Sequence, residues 1–346
     1  MQMKNILIFQ LNWLGDILFS TPFIRAIKKS FPEARITCAV VPRYVELLKG
    51  NPNVDAVIEL TDRRGLCSFF EKLKFLLNIY RQGFDACFLL KPSGTKAMLA
   101  RIAGIPYRVG FSGKRDALTH RVGLPEGHIH RADQLTMLCK PVGARVLEGE
   151  YEYFISEDAK EKAIELLEST GGVPEHMIII NPGGNWDAKR WAKKNFIQLV
   201  EKLLSTYPSM EVVVTGAAKD IALGKEIIGV VNSDRCRTLA GETNLSTLAA
   251  LFIRSTVVVS ADSGPLHLAS ASGARTIGLF GPTLEKITGP RGSGENIVIR
   301  NNSIRCELPC YEMDCSKGYE CMDLIAVDQV IKVIEKMLSA EGIQSI

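Results

Sequence analysis

No run of this sequence is apolar for long enough to span a bilayer. Its start carries no leader pattern either, because the apolar residues 6–9 are too few and lead straight into a structural motif. Both absences make a cytoplasmic protein the expectation. A Gly-x-x-x-x-Gly-Lys-Ser/Thr loop is missing, and no Gly-x-Gly-x-x-Gly follows the first strand, which counts against an NTPase and a dinucleotide dehydrogenase. An Asp-x-Asp pair of the kind that holds a divalent metal on a sugar nucleotide is also absent. An excess of one charge is missing too: the formal net charge is +4, far from that of a nucleic-acid binder. The five histidines lack tight metal spacing apart from His128-Ile-His130, and we do not read them as ligands. Nine cysteines in a reducing compartment argue against a disulfide scaffold.

What is present is a long alternation of strands and helices. With 346 residues, 46% of them hydrophobic, the chain can fill two cores. Residues 5–10, 35–41, 54–60 and 85–90 read as strands, with helical spacing at 17–29, 44–48 and 97–103. That order predicts a parallel, doubly wound sheet. Leu66, Phe69, Phe70, Leu73, Leu76, Leu77 and Tyr80 fall on one helical face. With Arg63, Arg64, Lys72 and Lys74 around it, this stripe would suit a membrane surface, but a helix facing the core is the expectation. Residues 91–131 read as loop-rich and basic, attractive to an anion. The pattern turns polar around 142–157, so the domains are expected at 1–157 and 158–346. A second series of strands follows at 177–180, 211–215, 256–260 and 276–280, with helices at 158–169, 194–207, 221–230 and 245–253.

The most informative stretch is Val257-Val-Val-Ser-Ala-Asp-Ser-Gly-Pro-Leu-His267. A β-branched run buried on both faces breaks at Asp262, Ser263 and Gly264, and Pro265 suits the first turn of a helix. Such a junction aims backbone N–H groups and the positive end of a helix dipole at one spot, which suits a phosphate. An ordinary connection with Asp262 or Ser263 capping the helix is the alternative. Gly183 to Lys189 and Gly216 to Asp220 also follow strands and should share its rim, where parallel sheets bind ligands.

Asn12-Trp-Leu-Gly-Asp16, Pro182-Gly-Gly before Lys189-Arg-Trp191, and Asp262-Ser-Gly-Pro-Leu-His267 followed by Gly281-Pro-Thr283 together resemble the lipopolysaccharide heptosyltransferases, family-9 glycosyltransferases. The likeness is greatest to the branch acting second in inner-core synthesis. The resemblance implies an α/β GT-B fold, two Rossmann-like doubly wound domains facing across a cleft. The first domain would take the acceptor and the second the nucleotide sugar. It implies transfer of heptose from ADP-heptose to a lipid A–Kdo or inner-core acceptor at the inner face of the inner membrane, with inversion and no required metal. By motif position, Asp16 would be the general base and Lys189 the phosphate-contacting cation. Gly183, Gly184, Asn185, Gly216, Asp262, Ser263, Gly264 and His267 would bind the donor. Asn12, Lys91, Lys96, Arg115 and Arg121 are candidates for the acceptor. Where some relatives place an acidic adenosine contact after Gly-Ala, this chain has Ala218, with Asp220 nearby.

Cys306, Cys310, Cys315 and Cys321 stand apart, spaced C-x3-C-x4-C-x5-C. Four thiolates would suit zinc or an iron–sulfur cluster, though the spacing is wider than paired C-x2-C knuckles. Labile disulfides or free thiols are the alternatives. Two other functions remain open from sequence: another GT-B sugar-nucleotide enzyme (a different sugar transferase or an epimerase), or a cysteine-cluster metal or redox protein on a nucleotide-binding scaffold.

Overall fold

The computed structural model describes residues 3–60, 66–113, 117–146, 149–303, 306–312, 315–340 and 342–343, with only the backbone described for 66–69. It divides into two compact units, 1–154 and 155–346.

The first unit runs β1 (Asn5–Phe9), α1 (Leu14–Phe19), α2 (Thr21–Ser30), β2 (Arg35–Val40), β3 (Ala56–Glu59), α3 (Leu66–Gln82), β4 (Ala86–Leu89), α4 (Gly94–Ile102), β5 (Tyr107–Phe111), β6 (His120–Val122) and α5 (Arg131–Thr136). Its sheet has the order β3-β2-β1-β4-β5-β6, and all its pairings are parallel. Leu7 and Phe9 of β1 and Cys87 and Leu89 of β4 are buried under Phe75 and Ile79 of α3 and Ala97 and Ala100 of α4. The small residues of α4 let that helix sit close to the sheet.

Two expectations fail here. The stretch read as loop-rich, 91–131, contains β5 and β6 besides the expected helix, α4. Arg108 and Gly110 interrupt the alternation of β5, and β6 is a three-residue edge strand, so neither carries a clear period. Nor does most of the apolar stripe of α3 face the core: of its described side chains Leu76 packs against it, while Phe70, Leu73, Leu77 and Tyr80 are 42–69% exposed. Phe75 and Ile79 face it instead, at 6% and 0% exposure; Arg63, Arg64 and the side chains of Leu66 and Phe69 lie outside the described residues. A helix laid on a sheet buries one arc of its circumference, and on α3 that arc is centred on Phe75 and Ile79.

The second unit runs α6 (Glu157–Ser169), β7 (His176–Asn181), α7 (Lys193–Thr206), β8 (Met210–Val214), α8 (Ile221–Val231), β9 (Cys236–Thr238), α9 (Leu245–Arg254), β10 (Val257–Ala261), α10 (Gly264–Ala271), β11 (Thr276–Phe280), α11 (Glu285–Thr288), β12 (Asn296–Arg300), α12 (Glu320–Asp323) and α13 (Val327–Ser339). Its sheet order, β12-β11-β10-β7-β8-β9, repeats the first topology, again all parallel. Val257 and Val259 of β10 and Ile178 and Ile180 of β7 belong to its buried core, as their β-branched runs imply. The last helix, α13, packs on α7, and Trp191 Nε1 donates to the Ile325 carbonyl at 3.0 Å, tying the segment before it to the start of α7.

Candidate active site

Each sheet reverses its strand order between its first and fourth strands in chain order, β1/β4 and β7/β10. A crevice opens at such a switch point, beyond the carboxyl ends of the strands. Candidate residues gather at both.

In the second unit the loop after β7 carries Lys189 and the loop after β10 carries Asp262. Lys189 Nζ lies 2.7 Å from Asp262 Oδ2, with the carboxylate side chain only 3% exposed. Three other donors reach the same carboxylate. Thr283 Oγ1 donates to Oδ2 at 2.6 Å, Thr288 Oγ1 reaches Oδ2 at 3.3 Å, and His267 Nε2 sits 3.2 Å from Oδ1. Burial alone would raise the Asp262 carboxyl. The His267 hydrogen bond and the charges of Lys189 and His267 outweigh it and hold the group below the usual carboxylate range. Asp262 therefore stays ionised and keeps Lys189 in place. The Trp186 ring lies beneath the same ammonium, 5.4 Å from its centroid.

Ser263 occupies the N-cap of α10 with extended backbone, but no side chain caps that helix. The alternative in which Asp262 or Ser263 caps α10 is thus set aside. The Ser263 hydroxyl instead pairs with Ser260 Oγ at 3.2 Å. Gly264 and Pro265 open the helix, so its first amides face the end of the strand with no side chain on them.

The glycine loops have steric reasons. A Cβ on Gly183 would stand 2.5 Å from Asp220 Oδ2, and one on Gly216 would stand 2.8 Å from Asp220 Cβ. Asp220 is buried and accepts from the Ala217 N–H at 3.0 Å. Its carboxylate thus shapes the loop after β8. Lys219 Nζ bridges to the Gly184 carbonyl at 2.8 Å and the Asn185 side chain at 2.6 Å, linking the two glycine loops.

In the first unit, Asp16 sits in the first turn of α1. It lines a cavity of about 290 Å³ with Lys91, Arg131 and Gln134 among apolar neighbours that include Phe19, Phe111 and Leu135. Arg131 Nη1 donates to Gln134 Oε1 at 2.8 Å, which aligns both side chains on α5. Sequence reasoning did not single out Gln134, and it counted Arg131 only as part of a basic stretch. Their sole signal was position on a short helix downstream. Of the other acceptor candidates, Lys96 Nζ donates to the Gln10 carbonyl, and the Asn12 carbonyl accepts from Arg43. Arg121 is exposed on β6 and does not line the cavity. Arg115 lies outside the described residues.

The C-terminal cysteines lie beside the loop after β11. Cys310 N–H donates to the Pro282 carbonyl at 2.8 Å. Tyr311 stacks on Trp186 with the rings 10° apart. Burial, then the proximity of Cys315 and Cys306, pushes the Cys321 thiol up. Cys306 Sγ accepts from Lys317. None of the four is joined in a disulfide, and among the described residues no group of three or more His, Cys, Asp or Glu is arranged to hold a metal ion.

The model of glycosyltransferase family 9 (heptosyltransferase) matches residues 73–319. Lipopolysaccharide heptosyltransferase 2 of Salmonella typhimurium is 25% identical over 361 aligned residues, covering 98% of this chain and 100% of that protein. Among solved structures, a family 9 glycosyl transferase from Veillonella parvula superposes with a TM-score of 0.85 at 23% identity, over 98% of this chain and 99% of that one. The E. coli ADP-heptose lps heptosyltransferase II does so with a TM-score of 0.80 at 24% identity, over the same shares. The α/β, GT-B fold class expected from sequence agrees with both.

Proposed function

The chain belongs to glycosyltransferase family 9, the heptosyltransferases, and we propose that it transfers heptose from ADP-heptose to the inner core of lipopolysaccharide. The observation that carries the donor half is the Lys189–Asp262 pair at the switch point of the second sheet, next to the uncapped start of α10. As the bond to the sugar breaks, the departing diphosphate gathers negative charge. Lys189, held in place by Asp262, and the first amides of α10 supply fixed positive charge at that place. With that ammonium in position, the step as proposed requires no metal. The sugar develops oxocarbenium character as it does so.

Asp16 is the general base of this proposal. The acceptor hydroxyl loses its proton as it attacks the anomeric carbon, and a carboxylate within reach takes it. One displacement from the face opposite the leaving group inverts that carbon. The cavity beside Asp16 offers Lys91 and Arg131 to the acid groups of an inner-core sugar, and apolar walls to its ring. No helix among the described residues is long and apolar enough to cross a membrane. A lipid-anchored acceptor would bring the enzyme to the inner face of the inner membrane instead. The transfer step draws on none of the four C-terminal cysteines.

Two measurements test this. ADP should raise the melting temperature and UDP should not. Asp16→Ala should keep the ADP shift and lose transfer, because it removes the base and leaves the donor loops intact. A variant that turns over at the parent rate removes Asp16 from the chemistry, and equal stabilisation by UDP removes the assignment of the donor.

A further inference from the structure

The outer face of α3 has no role in the chemistry above, yet among the described residues it exposes four large hydrophobic side chains. Phe70, Leu73, Leu77 and Tyr80 are 69%, 42%, 46% and 64% exposed. At 100° per residue these four occupy an arc of about 80°, and Lys74 and Arg81 fall next to it along one edge. Both cations are exposed. The stripe from Phe70 to Tyr80 runs for about 15 Å. Beside it, α4 packs on the same face of the sheet and presents Met98 and Ile102 at 45% and 60% exposure, with Arg101 also exposed. The sole carboxylate of the two helices, Glu71, turns inward, its Oε2 buried.

We propose that this face of α3 and α4 is the surface by which the enzyme docks on an anionic membrane. Exposed leucines and aromatics set against lysine and arginine, with no outward carboxylate, match the composition of a helix lying in a lipid interface. Tyrosine suits that depth, its ring among the acyl chains and its hydroxyl in the headgroups. The topology adds a reason. In a parallel sheet the helix after each strand starts at the strands' carboxyl edge, so α3 and α4 begin on the rim where Asp16 follows β1. Phe70 and Leu73 lie in the first two turns of α3, toward that rim. A docked face there holds the base close to an acceptor whose anchor stays in the bilayer. The inference rests on the lipid-anchored acceptor proposed above for its choice of lipid over protein, and it names the surface that reading lacks.

The test uses the full chain and sedimentation with vesicles of phosphatidylcholine, with or without phosphatidylglycerol. The parent protein is expected to bind the phosphatidylglycerol vesicles and to be released by high salt. The double variant Leu73→Ser, Leu77→Ser should weaken partitioning by about tenfold or more, since two half-exposed leucines no longer enter the interface. Lys74→Gln with Arg81→Gln should weaken it by about 25-fold, about fivefold for each cation lost. All four side chains are solvent-facing, so both variants should melt at the parent temperature, and both should keep their ADP shift and their transfer to a deacylated, water-soluble acceptor. Unchanged vesicle binding in both variants overturns the proposal, as does parent binding indifferent to phosphatidylglycerol. A parent that ignores vesicles but self-associates through these residues overturns it in favour of a second copy. If the parent binds vesicles and transfers no heptose, the surface stands and the proposed reaction falls.

Discussion

Replacing Lys189 with methionine strikes the joint on which the donor site is built. The change removes an ammonium 2.7 Å from a carboxylate that is only 3% exposed. At an effective dielectric of about 20, unit charges this close attract by about 6 kcal/mol. The desolvation of both groups cancels much of that attraction, and Asp262 keeps His267 and the hydroxyls of Thr283 and Thr288 as partners. The remaining cost is that of stranding a buried charge, about 3 kcal/mol. For a unit of this size, about 2–4 °C per kcal/mol gives a fall in melting temperature of about 6–12 °C. Asp262→Asn should cost less, because the ammonium it strands is 22% exposed and finds water. The double variant should cost less than the sum of the two, with a coupling of about 2 kcal/mol. Calorimetry on the four proteins near neutral pH reads all of this. Strictly additive costs would refute the reasoning, because they would mean that the two side chains do not stabilise one another. The same Lys189→Met protein should bind ADP at least about tenfold more weakly, the worth of one charge-assisted hydrogen bond.

Acid should act through the same carboxylate. Asp262 is held below its ordinary value of 3.8 in the folded protein, so the unfolded chain takes up the proton first. Its stabilising share is complete above about pH 4 and is lost as pH falls from there toward the folded value. Urea midpoints measured through this acid range should fall steeply for the parent and less so for Asp262→Asn; equal slopes would remove Asp262 as the cause. In the glycine loops, Gly183→Ala puts a Cβ 2.5 Å from Asp220 Oδ2 and should cost about 1–3 kcal/mol. Gly184→Ala, whose nearest neighbour would be 3.7 Å away, should stay within about 0.5 kcal/mol. Chemical denaturation of both separates a loop that needs glycine at 183 from one that tolerates any small residue.

Buried parallel strands announce themselves, and the runs at 177–180 and 256–260 became β7 and β10 at the centre of the second sheet. The outer strands β5, β6, β9 and β12 went unrecognised. They are short or carry polar residues at half-buried positions, so their residues need not be apolar on both faces. The basic stretch misled for a similar reason. Arg108 is spent on the carbonyls of Ile105 and Ala117, and Lys96 on that of Gln10. Positive charge is visible in a sequence, but the carbonyl that consumes it is not.

By itself the sequence determined much of the alternation of strand and helix, the segments after β1, β7 and β10 that carry Asp16, Lys189 and Asp262, and the family, because these follow from local composition and short motifs. Only the tertiary structure decided which of those groups meet. Lys189 and Asp262 are 73 residues apart along the chain, and they touch because the strand order reverses between β7 and β10. It likewise decided that Phe75 and Ile79, and not most of the stripe beside them, would face the sheet. A helical period shows that a face exists, but which arc leaves water depends on the surface the helix is laid against.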